Sequence, residues 1–406
     1  MIELVYTLFL LSGLVKSFLL FYAARFMIID FTLLCAIVLV GAYIFQAGKN
    51  FFFKNSFYIL KESRTILFTL GGFYIWMIFS LLYTPSPQYA FTKTALFITD
   101  VIALAFPFLY SYFDPRRFVR WFVYTGTGLV LIYSVLLPGV YASYLRNLDN
   151  KDFVERYLEI GYLAGIAFLL VLFACPHMRK SIRLILAGIN AYALFISSAR
   201  GPLIFLAFVL FIKSIPLLFT FFKKARKPNL KTVVYITVAV AILFAGAYFT
   251  WDQYSPLIDR TIMRLERLFT PETTAGIAER VARISFSFDN IFQNANNFLF
   301  GSGIGSFGIL YENQDIRSYP HNIFLEIGFE MGIIGVILFL FLLIVYLFKI
   351  RRHFDFLLIV LYLILNSLKS YSLVESRVMF GIFAVLLLYA SRWPLNSLKS
   401  IPGENK

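Results

Sequence analysis

Residues 321–348 read HNIFLEIGFEMGIIGVILFLFLLIVYLF, an apolar run in which Glu326 and Glu330 are the acidic side chains. An α-helix needs only about 20 apolar residues to cross a bilayer core of roughly 30 Å, and this run is longer. It begins with His321 and Asn322, directly after Pro320. The stretch therefore predicts a transmembrane helix that begins at a membrane surface with two polar side chains, His321 and Asn322.

Similar apolar runs recur along the whole chain. Of its 406 residues, 60% are hydrophobic and 15% are charged, whereas soluble domains have about 45–50% apolar and about 25% charged residues. The sequence therefore predicts an all-α, polytopic membrane protein with about 12 transmembrane helices. The expected spans are 4–24, 26–46, 65–83, 93–112, 118–138, 157–175, 182–198, 202–222, 232–250, 321–348, 355–371 and 375–391.

Several classes of protein do not fit this composition. Cys35 and Cys175 lie in or at the end of apolar runs, so neither a disulfide framework nor a metal cluster is expected. The segment 1–24 lacks a small-residue cleavage site and is expected to be a first span, not a cleaved signal peptide. No nucleic-acid-binding module is recognisable. The expected non-substrate partners are membrane lipids.

The basic residues predict the orientation. The formal net charge is +15, and Lys and Arg concentrate in alternate loops such as 223–231 and 349–352. Placing those loops in the cytoplasm puts both termini there and leaves 251–320 on the outer face. We therefore expect three parts: transmembrane helices 1–9 in 1–250, one large outer loop domain in 251–320 between spans 9 and 10, and spans 10–12 with a cytoplasmic tail in 321–406.

The large loop is expected to form two amphipathic helices. Ser255-Pro256 is a typical helix start, followed by apolar residues at helical spacing, and a second apolar stripe follows a breaker at 270–274. The stripes consist of Ile258, Ile262, Leu265 and Phe269, and of Ile277, Val281, Ile284, Phe288 and Ile291. Arg280 and Arg283 are neighbours on the second helix. They are either a ligand-binding pair or solvated charges balanced by Glu279 or Asp289.

Two cationic side chains stand near the expected outer surface. Arg200 lies in the tight turn Ser198-Ala199-Arg200-Gly201-Pro202. Its planar guanidinium suits a phosphate group, although contact with lipid headgroups is the alternative. Lys93 follows a proline-stiffened turn at 83–87. It either extends to the headgroups, contacts an anionic ligand or pairs with Asp100.

The remaining candidates flank the tenth span. Gly301, Gly303 and Gly305 have no βαβ context for nucleotide binding, so they are expected to form a flexible turn that brings two helices together. His321 is either structural or a proton acceptor, since a histidine at a membrane surface has a pKa near neutrality. The outer segments hold no Asp-x-Asp or Glu-x-Asp pair, so no metal or other cofactor is expected.

Together these motifs resemble the O-antigen ligase and polymerase family. Ser-Ala-Arg-Gly at 198–201, Phe-Gly-Ser-Gly-Ile-Gly-Ser-Phe at 300–307 and His-Asn-Ile-Phe-Leu-Glu at 321–326 occur in the family's order around one large periplasmic loop. Glu330-Met331-Gly332 continues the third motif, and the turn at 83–87 is similar to one common in the family. By motif, the resemblance covers roughly residues 185–350. Ser-Ala-Arg-Gly is a mild departure from the family's commoner Ser-Arg-Gly.

The resemblance implies a chemistry and its residues. It implies an inverting, membrane-embedded glycosyltransferase of a bacterial inner membrane, with its active site in the periplasm. The donor would be a glycan on undecaprenyl diphosphate, and the acceptor either lipid A-core, for a ligase, or another glycan, for a polymerase. The implied catalytic residues are Arg200, His321 and Arg283, with Arg280 the alternative second arginine. The expected substrate-binding residues are Arg280, Asn322, Lys93, Gly301, Gly303 and Gly305.

Two other classes remain as alternatives. A lipid-linked glycan transporter should show internal repeats or charges spread through the depth of the membrane. The ionisable residues within the spans are few and scattered. A non-catalytic scaffold would not need the arginine and histidine motifs. A glycosyltransferase of the resembled family is therefore favoured over both; its reaction is expected to be that of a ligase, with the polymerase as the nearest alternative.

Overall fold

The computed structural model describes residues 1–23, 30–52, 61–147, 156–224 and 275–392, together with the isolated positions 259 and 262. Within these ranges the regular secondary structure is all helical and there is no strand, so the all-α prediction is confirmed. The expected ninth span at 232–250, the tail from 393 and, apart from positions 259 and 262, the first loop helix around 255–269 lie outside the described residues.

The helices alternate with short turns along most of the chain. In the described residues they are α1 (Ile2–Leu10), α2 (Ser12–Ala23), α3 (Phe31–Phe52), α4 (Lys61–Ser80), α5 (Tyr89–Leu109), α6 (Pro115–Asn147), α7 (Tyr157–Phe173), α8 (Lys180–Ile196), α9 (Arg200–Lys224), α10 (Ala275–Ile291), α11 (Ala295–Phe300), α12 (Ser306–Glu312), α13 (Ile323–Ile350), α14 (Phe354–Ser370) and α15 (Arg377–Arg392). A single 3₁₀ turn, Leu373–Glu375, joins α14 to α15.

Four described helices are long and apolar enough to cross a membrane, judged by length and composition. They cover Phe31–Lys49, Tyr89–Leu109, Pro115–Leu137 and Ile323–Ile350. A shorter apolar helix covers Tyr157–Phe173. These helices indicate a membrane protein. The twelve-span topology with a large loop between spans 9 and 10 stays a prediction.

The first two expected spans have limits in the structure that hydropathy did not predict. The expected first span at 4–24 is divided at Leu11, whose φ of −92° and ψ of 6° leave the helical region. The expected second span, 26–46, begins instead at Phe31, because the carboxylate of Asp30 accepts the backbone N–H of Thr32 at 2.8 Å and caps the helix. Capping by a polar side chain therefore sets a boundary that hydropathy alone misplaced.

The chain divides into two compact units. The first comprises Met1–Thr125, Phe173–Cys175 and Thr273–Lys406, and the second comprises Gly126–Leu172 and Pro176–Glu272. In the first unit α15 packs against α5, α13 packs against α4, and both α10 and α11 pack against α13. In the second unit α8 packs against α9.

Candidate functional site

Three turns of the first unit come together near the start of α13. The turn before α5 reaches the glycine run, because the Tyr83 hydroxyl donates to the carbonyl of Phe300 at 2.6 Å and the Thr84 hydroxyl donates to that of Ile304 at 2.7 Å. The Asp315 carboxylate accepts the backbone N–H groups of Gln88 at 2.9 Å and Tyr89 at 3.2 Å. Segments far apart in sequence therefore form one surface.

The glycine run is a tightly packed turn, which corrects the expectation of a flexible one. Gly301, Gly303 and Gly305 have φ of 78°, 90° and 74°, values that favour glycine. A Cβ on Gly303 would lie 2.4 Å from the Cα of Thr84, and one on Gly301 would lie 2.5 Å from the backbone of α13. Glycine is required here because the backbones themselves are in contact.

The glycine turn is hydrogen-bonded to a break in α13. Gly332 has φ of 63° and ψ of −169° inside the helix, so the carbonyls before it lose their usual helical donors. The N–H of Ser302 donates to the carbonyl of Phe329 at 2.8 Å, and the N–H of Gly303 donates to that of Glu330 at 2.9 Å. The break is thereby stabilised by the same residues that carry the glycine motif.

Lys93 does not reach the headgroups and does not pair with Asp100, so both of those expectations are wrong. Its side chain is fully buried, and its ammonium lies 2.5 Å from the Glu326 carboxylate and 2.7 Å from that of Glu330. The two glutamates are four residues apart and thus share one face of α13. A contact between Lys93 and an anionic ligand would require these pairs to open, and that role stays an untested prediction.

The loop between α14 and α15 completes this buried cluster. The Ser372 hydroxyl and the Leu373 N–H donate to the Glu326 carboxylate at 2.7 and 2.8 Å. Glu375 pairs with Arg317 and accepts a 3.5 Å hydrogen bond from the hydroxyl of Tyr319. Hydrogen bonds to carboxylates compensate their burial, so this loop supports the segment that leads into α13.

Arg283 is fixed by a set of partners on three segments. Its guanidinium donates to the Ser318 hydroxyl at 2.6 Å and lies 2.8 Å from the Glu312 carboxylate and 2.9 Å from that of Glu279. It also lies over the ring of Tyr311, 5.2 Å from its centre. The expected balancing of the arginine pair by Glu279 is therefore confirmed for Arg283.

Arg280 differs from its neighbour. It lies one turn before Arg283 on α10, its side chain is partly exposed, and in the described part of the chain it makes no ion pair or hydrogen bond. A guanidinium without a partner keeps its fork of donors available for an anion. Arg283 is thus held by partners within the protein, whereas the guanidinium of Arg280 can donate to a ligand.

His321 has a strained backbone and an unpaired ring nitrogen. Its φ of 58° is unusual for a residue other than glycine, and its ring packs against Tyr319 with centroids 4.7 Å apart. The buried Nδ1 atom has no hydrogen-bond partner among the described residues. Buried polar atoms are nearly always paired, so this nitrogen is suited to a hydroxyl supplied by a ligand.

The surroundings of His321 keep its imidazole neutral. Burial is the largest effect, and the nearby positive charges of Arg280 and Arg283 add to it, which lowers the pKa of His321 to about 4. A neutral imidazole has one ring nitrogen able to accept a proton. The expected pKa near neutrality is therefore wrong for His321, and its neutral imidazole is ready to accept a hydrogen bond at neutral pH.

Asn322 and Arg200 begin helices. The Asn322 side chain caps α13 by accepting the N–H groups of Phe324 at 3.0 Å and Leu325 at 3.1 Å. The helix therefore starts at Ile323, two residues later than the expected span. Arg200 begins α9 after Ser198, whose φ is 58°. It belongs to the second unit, and its meeting with His321 stays a prediction.

The Arg200 turn packs closely on a helix of its own unit. A Cβ on Gly161 of α7 would lie 2.4 Å from that of Ala199 and 2.8 Å from the Ser197 hydroxyl oxygen. Gly161 thus allows the turn to lie directly on α7, as small residues do between membrane helices. This contact fixes the backbone from which Arg200 projects.

Comparison with known proteins identifies the region that carries these residues. A family model described as O-antigen ligase matches residues 184–340. This part of the chain belongs to the O-antigen ligase family. The resemblance inferred from the motifs over roughly 185–350 is therefore confirmed. Comparison with curated proteins gives no match.

The matched family is one of glycosyltransferase-like enzymes, which act in general on a lipid-linked glycan and an acceptor. The matched region contains all the sequence-predicted site residues except Lys93.

The supporting contacts of Arg317 and Glu375 were not predicted. Glu312 has no motif spacing and Glu375 stands at the start of the expected twelfth span, so only the fold reveals their contacts.

Proposed function

We propose that this protein is a metal-independent, inverting glycosyltransferase of the O-antigen ligase type. It moves a glycan from undecaprenyl diphosphate to a hydroxyl of lipid A-core on the periplasmic face of the bacterial inner membrane. The observation that supports this most is the buried, unpaired Nδ1 of His321 beside Arg280 and Arg283 in a region of this family. An acceptor hydroxyl and an anionic leaving group both have complementary partners there.

The arginines would act on the leaving group. Breaking the bond between sugar and diphosphate develops negative charge on the phosphate oxygens, and fixed guanidinium groups stabilise that charge as it grows. Arg280 is the arginine with available donors, so we assign it the direct contact. Arg283 contacts Glu312 and Ser318. It would hold α10 in place, and its positive charge would help to stabilise the leaving phosphates. Arg200 is kept as a proposed catalytic residue because it matches the arginine of the Arg-Gly motif.

His321 would act on the acceptor. A pKa of about 4 in the free protein makes the imidazole a weak base, but a bound diphosphate would place negative charge beside it and raise that pKa. The acceptor hydroxyl would donate to the imidazole and transfer its proton as the oxygen attacks the anomeric carbon. Attack from the face opposite the diphosphate inverts the configuration of that carbon.

The fate of the surface glycan in a strain lacking the gene tests this function. A ligase predicts that no polymer is attached to lipid A-core while long lipid-linked chains accumulate. Single repeat units on the core would instead indicate a polymerase of the same family. A glycan profile identical to that of the parent strain would contradict both reactions. Complementation with the intact gene is the control.

A further inference from the structure

A cavity of about 620 Å³ opens in the first unit beside the glycine turn. One wall consists of side-chain amides from the end of α10 and the start of α11: Asn290, Gln293, Asn294, Asn296 and Asn297. Phe79, Tyr83 and Phe300 line another wall and are 46%, 36% and 38% exposed. None of the described residues that line the cavity carries a charge.

This combination of linings is suited to sugars. A side-chain amide carries both donors and an acceptor, so it can pair with two neighbouring hydroxyl groups of one sugar ring. Aromatic faces pack against the apolar C–H faces of such rings. Because no ammonium or guanidinium lines the cavity, a phosphate group would have no charged partner in it. The chemistry therefore favours a neutral sugar over the diphosphate.

The amides are held in place by one another. The Asn297 amide donates to the Asn290 carbonyl at 3.1 Å and to the Gln293 side chain at 3.3 Å. The Ser302 hydroxyl donates to the Asn290 side chain at 2.7 Å, and the Asn294 side chain caps α11. Asn296 is exposed and makes no hydrogen bond within the described residues. The hydrogen-bonded amides thus hold the backbone in place, and the Asn296 amide is available to a ligand.

The position of the cavity connects it with the candidate site. Asn290 follows Arg283 by seven residues on α10, which is two helical turns, or about 10 Å, along the same face. The Tyr83 hydroxyl, bonded to the carbonyl of Phe300, joins the aromatic wall to the glycine turn. Arg280, to which we assign the leaving group, lies ten residues before Asn290, so a glycan with its reacting end there would extend about 15 Å along α10 to the amides.

We propose that this cavity is a subsite for neutral sugar residues of a glycan substrate, bound through the Asn296 and Gln293 amides and the Phe79 and Tyr83 rings. The assignment rests on the proposed glycan transfer. The sugars come from either the donor glycan or the acceptor glycan. Both have the same hydroxyl chemistry, and kinetics separate them.

The test uses purified protein with the lipid-linked glycan and lipid A-core varied separately. Asn296→Ala combined with Gln293→Ala should raise KM for one substrate about tenfold with kcat nearly unchanged, because hydrogen bonds remote from the reacting bond are lost. A raised KM for the donor assigns donor sugars, and a raised KM for the acceptor assigns acceptor sugars. The matched control is Gln314→Ala, an exposed amide outside the cavity, which should change neither constant.

Unchanged KM values for both substrates in a variant with the parent's melting temperature would overturn the subsite while leaving glycan transfer intact. Absence of transfer by the parent protein would instead contradict the proposed function. Calorimetric titration with the oligosaccharide released from the lipid-linked glycan then tests the cavity by itself. Binding to the parent at least about tenfold tighter than to the variant supports the subsite, and equal binding overturns it.

Discussion

The Arg283 guanidinium donates to the Ser318 hydroxyl over 2.6 Å, and Ser318 lies three residues before His321 in the sequence. Through this bond α10 fixes the segment that leads into α13. The same guanidinium lies 2.8 Å from Glu312, and the Ser318 hydroxyl donates to Glu312 at 2.6 Å. The position of the histidine therefore depends on an arginine that is itself held on several sides.

The two arginines should respond differently to substitution. Arg280→Ala should lower kcat for glycan transfer about 100-fold, because a donor to the leaving group is lost, with little change in melting temperature. Arg283→Ala should lower the rate and also the stability, by about 1–3 kcal/mol, since Glu312 and Ser318 lose their partner. Rates and melting curves of the two purified variants separate these effects. The opposite pattern would exchange the roles assigned to the two residues.

The pH dependence should follow the low pKa of His321. Activity requires the neutral imidazole, and the pKa of about 4 keeps it neutral from alkaline pH down to about pH 5. The profile of kcat/KM should thus be flat on the acid side until the pH approaches that pKa. Arg280→Met removes a positive charge, so protonation becomes easier, the pKa rises, and the acid limb moves to higher pH. An acid limb that stays in place or moves lower in the variant would contradict the assignment.

The Lys93 cluster should contribute mainly to stability. Lys93→Met leaves two buried carboxylates without their cation, which should cost about 3–5 kcal/mol. Adding Glu330→Gln removes one of those charges and should recover part of the loss. Thermal unfolding of the single and double variants in detergent measures this. If Lys93→Met kept its melting temperature but lost donor affinity, the substrate-binding role predicted for Lys93 would be supported instead.

The glycine turn offers a matched pair of substitutions. Gly303→Ala combines a φ of 90° with a Cβ that would lie 2.4 Å from Thr84, so it should destabilise the protein by about 2 kcal/mol or more. Gly72→Ala lies within α4, and a Cβ there has no heavy atom within 4 Å. This control should be neutral or stabilising by about 0.5–1 kcal/mol. Melting temperatures compare the two, and equal values would show that the turn tolerates a side chain.

The sequence predicts which residues lie at the candidate site and on which helices, but it does not predict which residues they contact. Periodicity indicated the helix at Ala275–Ile291, and the order of three motifs indicated the family, because both signals are local in the sequence. Lys93 was placed wrongly, since its partners Glu326 and Glu330 lie more than 200 residues away and only packing brings them together. Hydropathy likewise could not reveal the break at Gly332, which depends on donors from the glycine turn.

The proposed function depends on His321 acting on the acceptor of a glycan carried by a polyprenyl diphosphate. Its most direct test is the rate of glycan transfer to lipid A-core by purified protein, comparing the parent with His321→Ala at matched melting temperature. The parent should transfer glycan, and the variant should do so at least about 100-fold more slowly. Transfer by His321→Ala at the parent's rate would contradict it.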